Sequence, residues 1–580
     1  MAGTRFYGSQ VGGRSVTPHS YTGSPLALLH HDILSAFSFY NLLPNIILPL
    51  NPCLSGEFCE LYPSAANLWA MFLHLLLFCM QLPFILSIPF WLLFPVWMVV
   101  VGVLMFALVN NALCFLLNGS RGRFVSEPKY AEAREEHEHE QWIFLNGVAV
   151  GKHWMQSNIN RLALTFGRPV LGVHNKTSGI IFDVLQCLIQ RNFNYATMDI
   201  RDGYKIVKST LYNPNLTKVI FILHSQGAIE GGMILDWLLQ ELPQDLLSKL
   251  EIYTFGNAAN HFNNPHLHLL SQSAALQNPR RATLTRTRTH IINHNQNQNH
   301  HLANPDSDDM NMNEKPTPKH ETTSTPQGKT IHHIEHYAHT SDPVSRLGVL
   351  QFIYAPPLSA TAPRFMGRVF EYGANGGHQF CMHYLDTMFP LQKCGEGGEG
   401  VGGSGFEGCA DGDGQGNGFM GQDVEWWGRG AGREGLESSA LSAAGRFDDK
   451  GDGEGEGEGE GERGVGIDEM SPVSASSTMN ALRGEFENGR GFTKKARYKV
   501  RELSRLWLYR NGGVRGRTRL IGGLRGWLRS EYPFAFFALN LAQLLALFWV
   551  FTFVYVQIFS HIYIHPCYPV LRPKYHSSSQ

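Results

Sequence analysis

Three residues in this 580-residue chain follow apolar runs of strand length and carry side chains that can work together. Val219-Ile220-Phe221-Ile222-Leu223 leads into His224-Ser225-Gln226-Gly227; Ile334-Glu335-His336-Tyr337-Ala338 leads to Ser341-Asp342-Pro343; Arg368-Val369-Phe370-Glu371-Tyr372 leads to Gly376-Gly377-His378. A serine hydroxyl becomes a useful nucleophile when an imidazole takes its proton and a carboxylate fixes that imidazole. On a tight strand-to-helix turn such a serine is exposed, with a neighbouring N–H aimed at a reacting carbonyl oxygen. Ser225, Asp342 and His378 are therefore the candidate nucleophile, acid and base. His383 is a second candidate base. Five residues turn a helix through about 500°, so His378 and His383 on one helix would face different sides and only one could meet Ser225. Gly376 and Gly377 permit a tight turn that delivers His378 to the strand end, whereas His383 lies beside Tyr384 and Leu385 and reads as packing. His224 reads as lining the same pocket.

These residues need a scaffold that brings strand ends together. Apolar runs at 142–145, 169–173, 219–223, 250–255, 334–338 and 368–372 alternate with helical patterns at 157–166, 179–190 and 227–241. That alternation predicts an α/β domain with a doubly wound, mostly parallel sheet, covered on both faces. In such sheets ligands bind beyond the carboxyl ends of the strands, where all three candidates fall. Trp142, Phe144, Trp154 and Phe166 read as core or membrane-facing packing.

The block Phe221 to Gly232, FILHSQGAIEGG, resembles the nucleophile elbow of α/β-hydrolases, and Ser…Asp…His is the chain order of that fold. Tyr253-Thr254-Phe255-Gly256-Asn257 and the run from His339 to Leu347 are similar to strand ends of class 3 lipases and of lipase-like serine esterases of undefined substrate. The resemblance covers 141–391, under half the chain. It implies Ser225, His378 and Asp342 as a catalytic triad, and the N–H groups of Gln226 and Val148 as an oxyanion hole. His224 and Gly227 complete the elbow. Leu223 stands where the G-x-S-x-G pattern has its first glycine. A side chain there crowds the helix packed on the turn, so either the elbow is wider or the serine is not catalytic.

The rest of the chain is chemically different. Residues 61–120 and 532–571 contain no Asp, Glu, Lys or Arg, while 395–466 holds 26 of the 60 glycines. From Leu68 to Leu117 there is enough apolar chain for about 75 Å of helix against a hydrocarbon core of about 30 Å, with Pro83, Pro89 and Pro95 in the middle. A membrane hairpin or two transmembrane helices over 67–118 follow, and a further transmembrane helix over 533–562. Residues 1–66 read as a cytosolic or interfacial segment, 141–391 as the α/β domain with a polar insertion at 266–330, and 395–490 as a flexible Gly/Glu-rich linker with a reach of about 55 Å. Residues 491–531 form a basic juxtamembrane segment, and 563–580 a tail. The basic stretch reads as a topology signal that places the domain on the cytosolic side, or as a surface helix holding anionic lipid with Leu506, Trp507 and Leu508 underneath.

A net charge of −1 gives no argument for a nucleic-acid partner. Nine scattered cysteines make neither a disulfide scaffold nor a zinc module, and the clusters His300-His301, His332-His333 and His137-Glu138-His139 lack a third metal ligand. No cofactor motif is present. The expectation is an integral membrane serine hydrolase acting on a carboxylic ester of a lipid or acyl donor, with the bilayer as its partner. The rival expectation is an inactive membrane scaffold or binding protein that keeps the fold.

Overall fold

The computed structural model describes residues 3–8, 24–51, 54–265, 330–331, 333–354, 365–374, 376–395, 398–410, 418–427 and 498–513. The elements used below are β1 (Thr4–Tyr7), α1 (Pro25–Ser38), α2 (Ala65–Ser87), α3 (Val96–Asn118), β2 (Arg123–Val125), β3 (Glu140–Leu145), α4 (Lys152–Phe166) and β4 (Val170–Val173). There follow α5 (Ile180–Phe193), α6 (Met198–Tyr212), β5 (Lys218–His224), α7 (Gln226–Glu241), β6 (Leu250–Phe255), β7 (His333–His339) and β8 (Arg368–Tyr372). Last come β9 (Leu391–Lys393), β10 (Phe406–Cys409) and β11 (Val424–Trp427).

Nine strands form one sheet in the order β11-β1-β8-β7-β6-β5-β3-β4-β2. The six central strands, β4 through β8 with β3 between β4 and β5, are all parallel, and antiparallel pairing is confined to β1 on β8 and β2 on β4. Parallel neighbours need crossovers, and α4, α5 with α6, and α7 supply them after β3, β4 and β5. Side chains of successive strand residues enter two different cores. Trp142, Phe144, Ile220, Ile222, Tyr253 and Phe255 join one with α4; Ile143, Leu145, Val219, Phe221, Leu223 and Ile252 join the other with α6 and α7. Burial on both faces is why these strands are continuously apolar. The chain leaves β3 toward β4 on one side and returns to β5 on the other, so the sheet reverses direction between β3 and β5. A crevice forms at such a switch point.

Three expectations are corrected by strands and helices outside 141–391. First, the N-terminal segment is part of the domain: β1 lies inside the sheet between β8 and β11, and Asp32 of α1 accepts from buried Arg191 at 2.8 Å. Second, the glycine-rich stretch is not uniformly a linker. Phe406, Cys409, Phe419 and Met420 are buried, and Val424–Trp427 pairs in parallel with β1. Average composition concealed these few apolar anchors. Third, Leu506 and Trp507 do not lie on a lipid surface: both are buried in the core with Tyr509, Trp507 stacking on Phe389 and Tyr509 packing edge-on to Trp142. Arg505 pairs with Glu251 at the base of β6. Helix α6 was not anticipated, since its apolar face is carried by only five buried positions, among them Ile200, Ile206, Val207 and Leu211. Trp142, Phe144 and Phe166 are core residues.

Two apolar helical segments, Ala65–Leu93 and Val96–Asn118, are long and apolar enough to cross a membrane, with mean hydropathy of 2.1 and 2.4. Residues 91–111 belong to a second compact unit. Helix α2 is not apolar-facing all round. Asn67, Ala70, Leu73, His74, Leu77 and Gln81 form an inward stripe at helical spacing, while Leu68, Trp69, Phe72, Leu75, Leu82 and Leu86 face outward. The expected helix at 533–562 and the insertion at 266–330, save Thr330, lie outside the described residues.

Candidate active site

Strand β5 ends at His224 and α7 starts at Gln226, which leaves Ser225 alone to make the turn. Its backbone is held at φ 57°, ψ −121°, a region that residues with a Cβ rarely occupy. A bond to the neighbouring strand and a bond from the first helical turn enforce it: Ser225 N–H donates to Phe255 O at 3.0 Å, and Ser225 O accepts from Ala228 N–H at 3.0 Å. Leu223 is accommodated without widening this turn, because α7 presents Gly231 to it. A Cβ built on Gly231 would overlap the Leu223 methyls, lying 2.8 Å from Cδ2. Gly227, in the first turn of α7, is buried against the end of β3.

Ser225, Asp342 and His378 converge. His378 Nε2 lies 2.9 Å from Ser225 Oγ, and His378 Nδ1 lies 3.0 Å from Asp342 Oδ2. A carboxylate oxygen accepts, so Nδ1 carries the proton and the Nε2 lone pair faces the serine hydroxyl. Asp342 Oδ2 also accepts from Tyr384 Oη at 2.7 Å and Ser345 Oγ at 2.9 Å, and Oδ1 accepts from Val344 N–H at 2.8 Å, the bond that caps Pro343–Leu347. Burial alone would push this carboxyl up. The adjacent His378 and the hydrogen bonds from His378 and Tyr384 override burial and hold Asp342 well below the usual carboxylate range.

The backbone around His378 is fixed from two directions. Its N–H donates to Asn45 O at 3.0 Å, and His224 Nε2–H donates to its carbonyl at 3.0 Å. The two imidazoles stack at 4.9 Å and 28°. Burial, with the nearby His378 adding to it, lowers the His224 pKa to about 3, so its ring is neutral. His383 is buried elsewhere: its Nδ1 accepts from Gln379 N–H at 2.9 Å and its Nε2 donates to Pro49 O at 2.9 Å. The two histidines do not share a helix, since the helical turns begin at Phe380, after His378. Gly376 and Gly377 are not needed for a positive φ. They leave room for the rings of His339 and His383.

The residue before the second candidate oxyanion donor packs against the serine: a Cβ on Gly147 would sit 2.5 Å from Ser225 Cβ and 3.1 Å from its Oγ. Asn146 Nδ2 donates to Gly147 O at 2.9 Å, and one residue further on Ala149 N–H donates to Asp183 Oδ2 at 2.9 Å. Among the described residues neither Val148 N–H nor Gln226 N–H donates to another group. The Gln226 side chain is held beneath, accepting from Asn175 Nδ2 and donating to Gln190 Oε1, both at 2.9 Å.

Asn45, Asp183, Asn175 and Tyr384 were given no role from sequence, whereas Asn146 stands in the Asn146-Gly147-Val148 run that follows the first predicted strand. Asn175 could have been noticed in the same way, because it too follows a predicted strand; Asn45 and Asp183 carry no local signal. Among the described residues no group of three His, Cys, Asp or Glu side chains is placed to hold a metal. Compared with known proteins, the chain matches no family model, no curated protein and no solved structure.

Proposed function

We propose that this chain is a membrane-anchored serine hydrolase of the α/β-hydrolase type that cleaves carboxylic esters, with lipid esters as its substrate class. The observation that carries the reading is the contact series Ser225 Oγ, His378 Nε2, His378 Nδ1, Asp342 Oδ2, with spacings of 2.9 and 3.0 Å. In this reading His378 takes the Ser225 proton as Oγ attacks the ester carbonyl, and Asp342 stabilises the imidazolium that forms. The carbonyl oxygen, now negative, is received by the N–H groups of Gln226 and Val148. Collapse expels the alcohol, which takes its proton from His378, and water repeats the sequence on the acyl-serine to release the acid. The strained φ of Ser225 supports the same reading, since such strain collects at functional turns.

The lipid part rests on the outward apolar faces of α2 and α3. Their side chains, such as Leu75 and Leu86 at 60 % and 62 % exposed, suit hydrocarbon better than water. A site tethered to a bilayer meets membrane-borne esters at high local concentration. The rival reading, an inactive scaffold, drew its force from Leu223, and the matching gap at Gly231 weakens it.

A fluorophosphonate probe reports an activated serine without needing the substrate. The wild-type chain should be labelled, Ser225→Ala should abolish the signal, and Ser341→Ala should leave it. Equal labelling of the Ser225→Ala protein would overturn the proposal.

A further inference from the structure

We propose that Asp183 is a positioning residue for the oxyanion donor Val148, and that it links this donor to the apolar helices of the hairpin. The inference rests on the serine hydrolase reading above and extends it to the residues that set the hole.

A trans peptide is planar, and its C=O and N–H point in opposite directions, so fixing one fixes the other. Asn146 Nδ2 holds Gly147 O and thereby orients the Val148 N–H of the same peptide. Beyond it, Ala149 is turned to φ 59°, an unfavourable value for a residue with a Cβ, and its N–H is held by Asp183 Oδ2 at 2.9 Å. Released from Asp183, Ala149 would relax toward negative φ and carry Val148 with it. Asp183 is itself buried and saturated: Thr177 Oγ1 donates to Oδ2 at 2.6 Å and Ser178 N–H to Oδ1 at 2.7 Å. Three donors converge on this one carboxylate, and an amide in its place must turn an NH₂ toward at least one of them.

The same loop is clasped by both apolar helices. Gln81 Nε2 of α2 donates to Ser178 O at 2.6 Å. Asn118, the last residue of α3, exchanges two bonds with Thr177: its Nδ2 donates to Thr177 O at 2.7 Å and its Oδ1 accepts from Thr177 N–H at 3.1 Å. Gln81 and Asn118 are buried polar residues in largely apolar helices, and both direct their amides to residues 177–178. A continuous path of hydrogen bonds therefore runs from Gln81 and Asn118 through Thr177, Ser178 and Asp183 to Ala149. The placement of Gln81 and Asn118 within the α/β unit therefore sets the oxyanion loop.

The test uses the full-length chain in lipid nanodiscs, a soluble nitrophenyl ester, and a trifluoromethyl ketone whose tetrahedral adduct with the serine needs the oxyanion hole. Asp183→Asn should lower kcat by about 10²–10³-fold, the loss seen when one oxyanion donor is removed, with KM within about twofold. Ketone affinity should fall by a similar factor. Thr177→Val and Gln81→Leu, each removing one link, should lower kcat by a smaller factor, again at constant KM, and they decide the matter if Asp183→Asn fails to fold. Unchanged ketone affinity in the variants, or a change in KM alone, would overturn the positioning role. The two readings separate on Ser225→Ala: if turnover survives that change, the hydrolase reading falls and this one with it. If turnover is lost there but the Asp183, Thr177 and Gln81 variants behave as wild type, the positioning role of Asp183 and its link to the apolar helices are wrong while the hydrolase reading stands.

Discussion

Leu223 and Gly231 are a complementary pair. The side chain of Leu223, two residues before the candidate nucleophile, fills the space that a Cβ on Gly231 would take, one helical turn into α7. The usual arrangement places the small residue on the strand; here it is on the helix. The elbow keeps its tight turn at Ser225 because bulk and gap have exchanged sides. Gly231→Ala should therefore cost about 1–3 kcal/mol through overpacking. Leu223→Ala in the same chain should recover part of that loss, giving a coupling of about 1 kcal/mol or more in a double-mutant cycle of thermal stability. Additive effects of the two changes would show that they do not share this space.

The strain at Ser225 makes a second prediction. Ser225→Gly relieves a φ of 57°, whereas Ser225→Ala keeps it. Such strain costs on the order of 1–3 kcal/mol, and the extra freedom glycine gives the unfolded chain returns about 0.4–1 kcal/mol of it. Ser225→Gly should melt higher than Ser225→Ala by the equivalent of about 1 kcal/mol, and both should be unlabelled by a fluorophosphonate. Equal melting points would mean that the turn carries no strain.

His224 gives a pH dependence with a definite sign. In the folded chain burial lowers its pKa to about 3; in the unfolded chain it titrates near 6.5. Between those values the unfolded state binds a proton that the folded state refuses, so this residue takes stability away as pH falls from about 6.5 toward 3. At about 1.4 kcal/mol per unit, its share is on the order of 2–3 kcal/mol at pH 4.5. His224→Phe keeps a ring against His378 but cannot take up a proton. Relative to wild type it should gain stability on going from pH 7 to pH 4.5, read from thermal midpoints at both pH values, even though it loses the bond to the His378 carbonyl. A pH-independent difference would mean that His224 takes up its proton as readily in the fold as in the unfolded chain.

Much of the candidate site was legible because Ser225 comes at once, and Asp342 and His378 within six residues, after an apolar strand, and in a parallel sheet the carboxyl ends of strands share one edge. The order of those strands was not legible. Nothing local shows that Thr4–Tyr7 lies between β8 and β11, since pairing partners more than 350 residues apart leave no periodicity behind. The support of the site was hidden for the same reason. Asn45 O meets His378 N–H across 333 residues of chain, and Asp183 looks like an ordinary polar residue in the first turn of a helix until Ala149 and Thr177 are brought to it. Around Leu506–Tyr509 the flanking arginines suggested a lipid surface, but Trp507 is only 2 % exposed.

That burial is testable. Trp507 packs on Phe389 with ring centroids 5.6 Å apart, at a point where the chain after 498 returns to the domain. Trp507→Ala should cost about 3–5 kcal/mol, as for other large core truncations, while Leu508→Ala, at a partly buried position beside it, should cost well under half of that. If the segment lay on lipid instead, Trp507→Ala would weaken vesicle association and leave the melting point unchanged.

The choice between the two candidate bases follows from what each ring nitrogen already does. His378 offers Nε2 to Ser225 Oγ and Nδ1–H to Asp342, so both nitrogens serve the relay. Both nitrogens of His383 are committed to backbone, Nδ1 to Gln379 N–H and Nε2 to Pro49 O, which ties the residues around Leu48 to the loop that carries His378. His378→Ala should lower esterase turnover and fluorophosphonate labelling by several orders of magnitude, as loss of a triad base does, with the melting point little changed. His383→Ala takes away the partner of the part-buried Gln379 N–H and one of the two donors to Pro49 O, which keeps Asn51 N–H, and should lower stability by about 1–2 kcal/mol, with labelling at a saturating time near wild type. Loss of labelling in His383→Ala, with His378→Ala still active, would transfer the base to His383.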